Sequence, residues 1–269
     1  MPWIVGIDEA GYGPNLGPFV MTSVACRLPQ ARVKADLWDV FGRVARRHTD
    51  PNDTRFVVAD SKLVYSPSNG LSDLEHSVHV ALHGERPATL AAFVDHVSPL
   101  CHEELRREVW YEGTTPLPVA ADAAACTGTT GQLNDLAKSL DIHWGLINSV
   151  VVCPATFNSL TDTSGSKGAV LASSVVQLLR GLPADGDDVS VFCDKHGGRN
   201  TYCGVLQPAF DDGMVMGREE GGLRSNYYVT DRGRRVDITF EPRADANHFC
   251  VALASMVSKY LRELFMLEF

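Results

Sequence analysis

Residues 6–20 read GIDEAGYGPNLGPFV. An apolar run over 3–7 leads into two adjacent carboxylates, Asp8 and Glu9, and glycines follow at 11, 13 and 17. The run reads as a strand and the glycines as a turn. Successive strand residues face opposite sides of a sheet, so Asp8 and Glu9 cannot both project the same way while the strand stays regular. If the strand ends there, a turn at Gly11 swings the second carboxylate, or its carbonyl, towards the first. Two buried carboxylates repel each other and hold a proton unless a cation lies between them. A divalent metal is the economical explanation; for an isolated Asp-Glu pair the plain alternative is an exposed acidic strand end.

Outward from this stretch, β-branched runs at about 18–26, 56–59, 148–153 and 188–193, with alternation over 235–241, give further strands. Helical periodicity spans about 34–47, 71–83, 88–99, 132–141, 166–182 and 245–266, and the Gly-, Pro- and Thr-rich segment 111–131 reads as a long loop or small insertion. Strands alternating with helices indicate an α/β architecture, with no repeat and no linker that forces a domain split. With 269 residues, 45% hydrophobic and 21% charged, the chain has a globular balance. No apolar run approaches the roughly 20 residues that span a bilayer, and MPWIVGI lacks the features of a secretory leader, so a cytoplasmic location is expected. Seven scattered cysteines, an odd number, predict free thiols. A net charge of −9 means that any polyanionic partner needs a local basic patch or a bound cation.

More carboxylates fall at strand ends. VSVFCD places Asp194 at the end of a strand, before a turn at Gly197 and Gly198, and EPRADANHF places Asp245 at the start of the last helix, where an N-cap is the default role. In an α/β sheet functional groups gather at strand ends and adjoining helix starts, and four carboxylates there can hold two Mg²⁺ or Mn²⁺ ions for phosphodiester hydrolysis.

These residues carry a resemblance. GIDEAGYGPNLGPFV is similar to the opening motif of type 2 ribonuclease H, ADSKLVYSP at 59–67 resembles its Asp-Ser-Lys segment, and 157–182 and 244–264 resemble two later segments in the family's order. The match covers most of the chain apart from about 80–147. It implies a ribonuclease H-like fold, a mixed central sheet flanked by helices, in one catalytic domain over 1–269. It also implies Asp8, Glu9, Asp194 and Asp245 as catalytic metal ligands for Mg²⁺ or Mn²⁺, and hydrolysis of RNA in RNA/DNA hybrids or of ribonucleotides embedded in DNA, leaving 5′-phosphate and 3′-hydroxyl ends. The partner is then nucleic acid and the protein is expected to be a monomer. Gly11, Tyr12, Gly13, Ser61, Lys62 and Asn158 match substrate-contacting positions. Tyr12 stands where the family carries arginine, which keeps the flanking glycines but removes a phosphate-directed charge and leaves substrate preference open. The chain stops at LRELFMLEF without the family's Gly-Tyr-Pro segment, which points either to a shortened chain or to a branch that binds differently. A structure-specific DNA nuclease and an inactive nucleic-acid-binding protein are the alternatives.

Three other features are weighed on their residues. The arginines of 218–243 form either a nucleic-acid-facing hairpin or a solvated one. His196, beside Asp194, is a candidate proton shuttle or simply an exposed histidine. TSGSKG at 163–168 lacks the spacing of a phosphate-cradling loop, and Cys193, His196 and Cys203 do not complete a zinc site.

Overall fold

The computed structural model describes residues 1–11, 16–50 and 52–269. The strands are β1 (Trp3–Ala10), β2 (Phe19–Arg27), β3 (Ala45–Arg46), β4 (Phe56–Val57), β5 (His143–Val152), β6 (Val189–Asp194), β7 (Met216–Glu220), β8 (Ser225–Asp231) and β9 (Arg234–Glu241). The helices are α1 (Leu37–Val40), α2 (Ser61–Val64), α3 (Ser72–Ala81), α4 (Leu90–Val97), α5 (His102–Leu105), α6 (Ala123–Ser139), α7 (Pro154–Ser164), α8 (Lys167–Arg180), α9 (Cys203–Leu206), α10 (Ala244–Asn247) and α11 (Phe249–Glu268). Among the described residues seven strands form one sheet in the order β5-β2-β1-β6-β9-β8-β7. The β1–β6 and β6–β9 pairs are parallel and the others antiparallel, so the sheet is mixed and the fold is α/β, as expected.

Alternation along β1 divides the core. Trp3, Val5 and Ile7 face a layer shared with Phe157 of α7 and the apolar stripe of α8, whereas Ile4 faces α11, α3 and α4. Gly6 lies on the α11 side. A Cβ there would sit 2.1 Å from the Val251 nitrogen and 2.2 Å from the Cys250 carbonyl carbon, so glycine is what lets α11 rest directly on β1. A run of hydroxyls completes the seam: Ser258 Oγ donates its one proton to the Asp8 carbonyl at 3.1 Å and meets Thr22 Oγ1 at 2.8 Å, and Thr22 meets Ser149 at 2.8 Å.

Several expected elements differ. The helix expected at 34–47 is a single turn, α1, followed by β3. Gly42 weakens the helix, and the Val44 carbonyl instead accepts from Phe56 N at 3.0 Å while Arg46 Nε donates to the Arg55 carbonyl at 2.8 Å. The segment 111–131 is a loop only as far as Asp122, whose carboxylate caps α6 through Ala125 N at 2.7 Å. Two distant glutamates organise that loop. The fully buried Glu75 accepts from the amides of Val119, Ala120 and Ala121, and Glu268 from those of Glu112, Gly113 and Thr115. The helix expected over 245–266 is broken at His248, whose extended backbone (φ −127°, ψ 117°) separates α10 from α11. Asp245 therefore lies in the first turn of α10, and the N-cap position belongs to Arg243.

Candidate active site

β1 stays regular through Ala10, which pairs with Val20, and Gly11 follows with φ +80°. Asp8 and Glu9 therefore do alternate, and Asp8 is on the α11 side at 8% exposure. Ile7 pairs with Cys193 in the parallel register, which brings the next residues, Asp8 and Asp194, side by side at the ends of neighbouring strands. Asp194 Oδ1 accepts from Lys195 N at 2.9 Å and from Ala244 N, the start of α10, at 3.4 Å. That second bond ties the Asp245-bearing turn to the end of β6.

Burial and neighbouring charge act on three of these groups. Burial, then the charge of Glu9, lifts Asp8 well above the usual carboxylate range, against a hydrogen bond from Ser255. Burial and the charge of Asp194 lift Glu9 to about 7, with Lys62 pulling the other way. Burial, then Asp60 and Asp194, raises Asp245, again opposed by Lys62. Asp60 caps α2 through Lys62 N at 2.9 Å and thereby brings a fifth carboxylate to the same field.

Ser61 and Lys62 divide their work. Ser61 is buried, and its hydroxyl meets that of Ser255 at 3.1 Å, so it reaches Asp8 through a second serine rather than standing open to a ligand. Lys62 is exposed in front of the carboxylates. Gly11 sits against α11, where a Cβ would come within 2.7 Å of Arg262 Nε. Tyr12 and Gly13 lie outside the described residues. Asn158 is exposed on α7, and among the described residues no hydrogen bond links it to the carboxylates.

His196 is a core histidine: it is 8% exposed, edge-on to Tyr202 and Phe240, and burial pushes it down to about 4. Lys195 turns away to Asn200 Oδ1 at 3.1 Å and Ser225 Oγ at 3.2 Å. The arginines of 218–243 are largely paired inside their own hairpins: Arg224 with Glu241, Arg235 and Arg218 with Asp237, and Arg234 with Asp231. Sequence reasoning missed Asp60, Ser255, Ser258 and a Glu241–His248 pair at 2.9 Å, in which the imidazole stacks on Phe192. Asp60 carried a signal, since Asp before a short apolar helix is a capping pattern. The serines carried none beyond their spacing on α11.

Carboxylates raised first by burial and then by one another's charge are oxygen donors of the kind a hard divalent cation takes. Among the described residues no group of three or more His, Cys, Asp or Glu side chains is already arranged to hold a metal ion.

No family model and no curated protein matches the chain. Among solved structures it is similar to the ribonuclease H2 of Pyrococcus horikoshii OT3, at 13% identity and a TM-score of 0.41 over 97% of this chain and 72% of that one. It is also similar to the RNase HII of Archaeoglobus fulgidus, in its complex with PCNA, at 14% identity and a TM-score of 0.40 over 97% and 71%.

Proposed function

We propose that the chain is a divalent-metal-dependent endonuclease of ribonuclease H type, hydrolysing the RNA strand of RNA/DNA hybrids or ribonucleotides embedded in DNA and leaving 5′-phosphate and 3′-hydroxyl ends. The observation that carries the reading is the side-by-side placement of Asp8 and Asp194, with Glu9 and Asp245 in the same field. Asp8, Glu9, Asp194 and Asp245 would hold Mg²⁺ or Mn²⁺, which supplies an activated water and neutralises charge on the leaving oxygen. The other residues bind and orient. Ser255, backed by Ser61, fixes the Asp8 carboxyl, and Ser258 fixes its backbone. Lys62 offers a compact cation to a backbone phosphate beside the carboxylates. Gly11 turns the chain at the end of β1 at φ +80° and lets it pass close to Arg262 of α11.

The test uses labelled duplexes carrying one ribonucleotide, four or none, in Mg²⁺, Mn²⁺ or EDTA. Metal-dependent cleavage beside ribonucleotides, reduced at least about 100-fold in Asp8→Asn, is expected. Cleavage of the all-DNA duplex at the same rate would assign a structure-specific DNA nuclease instead. Binding without turnover in either metal would leave a nucleic-acid-binding protein.

A further inference from the structure

A recess of about 240 Å³ lies between α3, α6 and the chain at 84–88 and 117–118, and it shares no lining residue with the carboxylate site. His79, Leu117, Pro118 and Cys126 line its inner part, and the exposed Glu85 and Arg86 stand at its rim. The space comes from the small residues of α6, AAACTGTTG over 123–131. Thr127 turns its hydroxyl back to the Ala123 carbonyl at 2.9 Å, which leaves the α6 wall with little free polarity. The opposite wall is held from both ends. Glu268 clamps 112–115, Glu75 clamps 119–121, and Leu117 N donates to the Ala88 carbonyl at 3.0 Å. A recess whose walls are fixed in advance spends little ordering entropy on a ligand.

Inside the charged rim, the hydroxyls of Thr127 and Thr130 are spent on backbone carbonyls, and His79 supplies the polar ring of the buried lining. Tyr260 has a single hydroxyl proton and gives it to Glu75 Oε1 at 2.6 Å. Its oxygen must then accept from His79 Nε2 at 3.3 Å, which places the imidazole proton on Nε2 and leaves Nδ1 a bare acceptor. His79 is 8% exposed, and among the described residues nothing hydrogen-bonds to Nδ1. Burial also holds the imidazole below its ordinary value, although Glu75 pulls the other way, so the ring is neutral at pH 7. An anion at Nδ1 would set acceptor against acceptor, and the rim residues Glu85 and Arg86 offset each other in charge. Apolar cavities of about 150 Å³ already admit benzene, so this one has room for a ring and substituents.

We propose that the recess binds a one- or two-ring aromatic molecule carrying a single O–H or N–H donor, with the donor on His79 Nδ1 and the ring against Leu117 and Pro118. Phenol is the probe, and anisole, which has a similar ring without a donor, is its control. In protein ¹⁵N-labelled at histidine, phenol shifts the His79 Nδ1 resonance, leaves the Nε2 proton in place, and binds about tenfold more tightly than anisole. His79→Phe removes that preference. Thr127→Trp, at the exposed rim of the recess, abolishes binding of both while the melting temperature is retained, and so tests the site without touching the buried histidine. Equal affinity for phenol and anisole in the unmodified protein, an unmoved Nδ1 resonance, or unchanged phenol binding by Thr127→Trp would each overturn the proposal. None of these readouts depends on nuclease activity.

Discussion

Asp8 and Glu9 alternate on a regular strand and still feel each other's charge, because the strand ends where β6 and α10 bring Asp194 and Asp245 to meet them. That repulsion is a stability term. A carboxyl whose folded value lies above its unfolded one keeps its proton longer in the folded state, so unfolding free energy falls as pH rises between the two values. For Glu9, lifted from 4.5 to about 7, the window is pH 4.5 to 7. The slope for one group is at most about 1.4 kcal/mol per pH unit. In EDTA the melting temperature is expected to fall across this window, and Glu9→Gln to flatten the fall. A profile indifferent to Glu9→Gln would place that carboxyl in free solvent. His196 shows the opposite outcome for a motif residue: adjacent in sequence to the site, it is spent on packing against Tyr202 and Phe240.

At the scale of elements, the contact between α11 and β1 decides where the carboxylates stand. Gly6→Ala would force a Cβ into the backbone at Val251, and overpacking at a backbone contact costs about 3 kcal/mol or more. The expected result is a large drop in melting temperature together with lost activity, since α11 carries Ser255 and Ser258 against Asp8; a melting point within a degree of the parent would show that the helix is free to shift. The long periodic elements were legible in the sequence: β1, β2, β6, α3, α4 and α8 follow from apolar spacing alone, as does the placement of Asp194 at a strand end. What was illegible depends on distant partners. α6 opens in a segment whose Gly and Thr argue against helix, and its approach is shaped by Glu75 and Glu268, roughly 40 and 150 residues away in sequence. The break at His248 likewise follows from its bond to Glu241 and its stacking on Phe192, neither of which a periodicity can report.

For the whole molecule, the charge of −9 sets the terms on which a polyanion approaches. Lys62 stands exposed at the carboxylates, whereas Arg235 is engaged with Asp237. Lys62→Ala is therefore expected to weaken duplex binding in Mg²⁺ and to lower the slope of log affinity against log salt by about one, and Arg235→Ala to leave both unchanged; the reverse pattern would move the nucleic-acid face to the hairpin. The position of β1 has a consequence of another kind. It is flanked by β2 and β6 and covered by α11 and α8, while β7 at the sheet margin is exposed along its length. Amide hydrogens of β1 should then exchange with solvent only through global opening, and those of β7 through local fraying. The carboxylates ride on the cooperative unit that opens last, so partial unfolding from the β7 margin leaves the centre of the site assembled until the whole fold gives way.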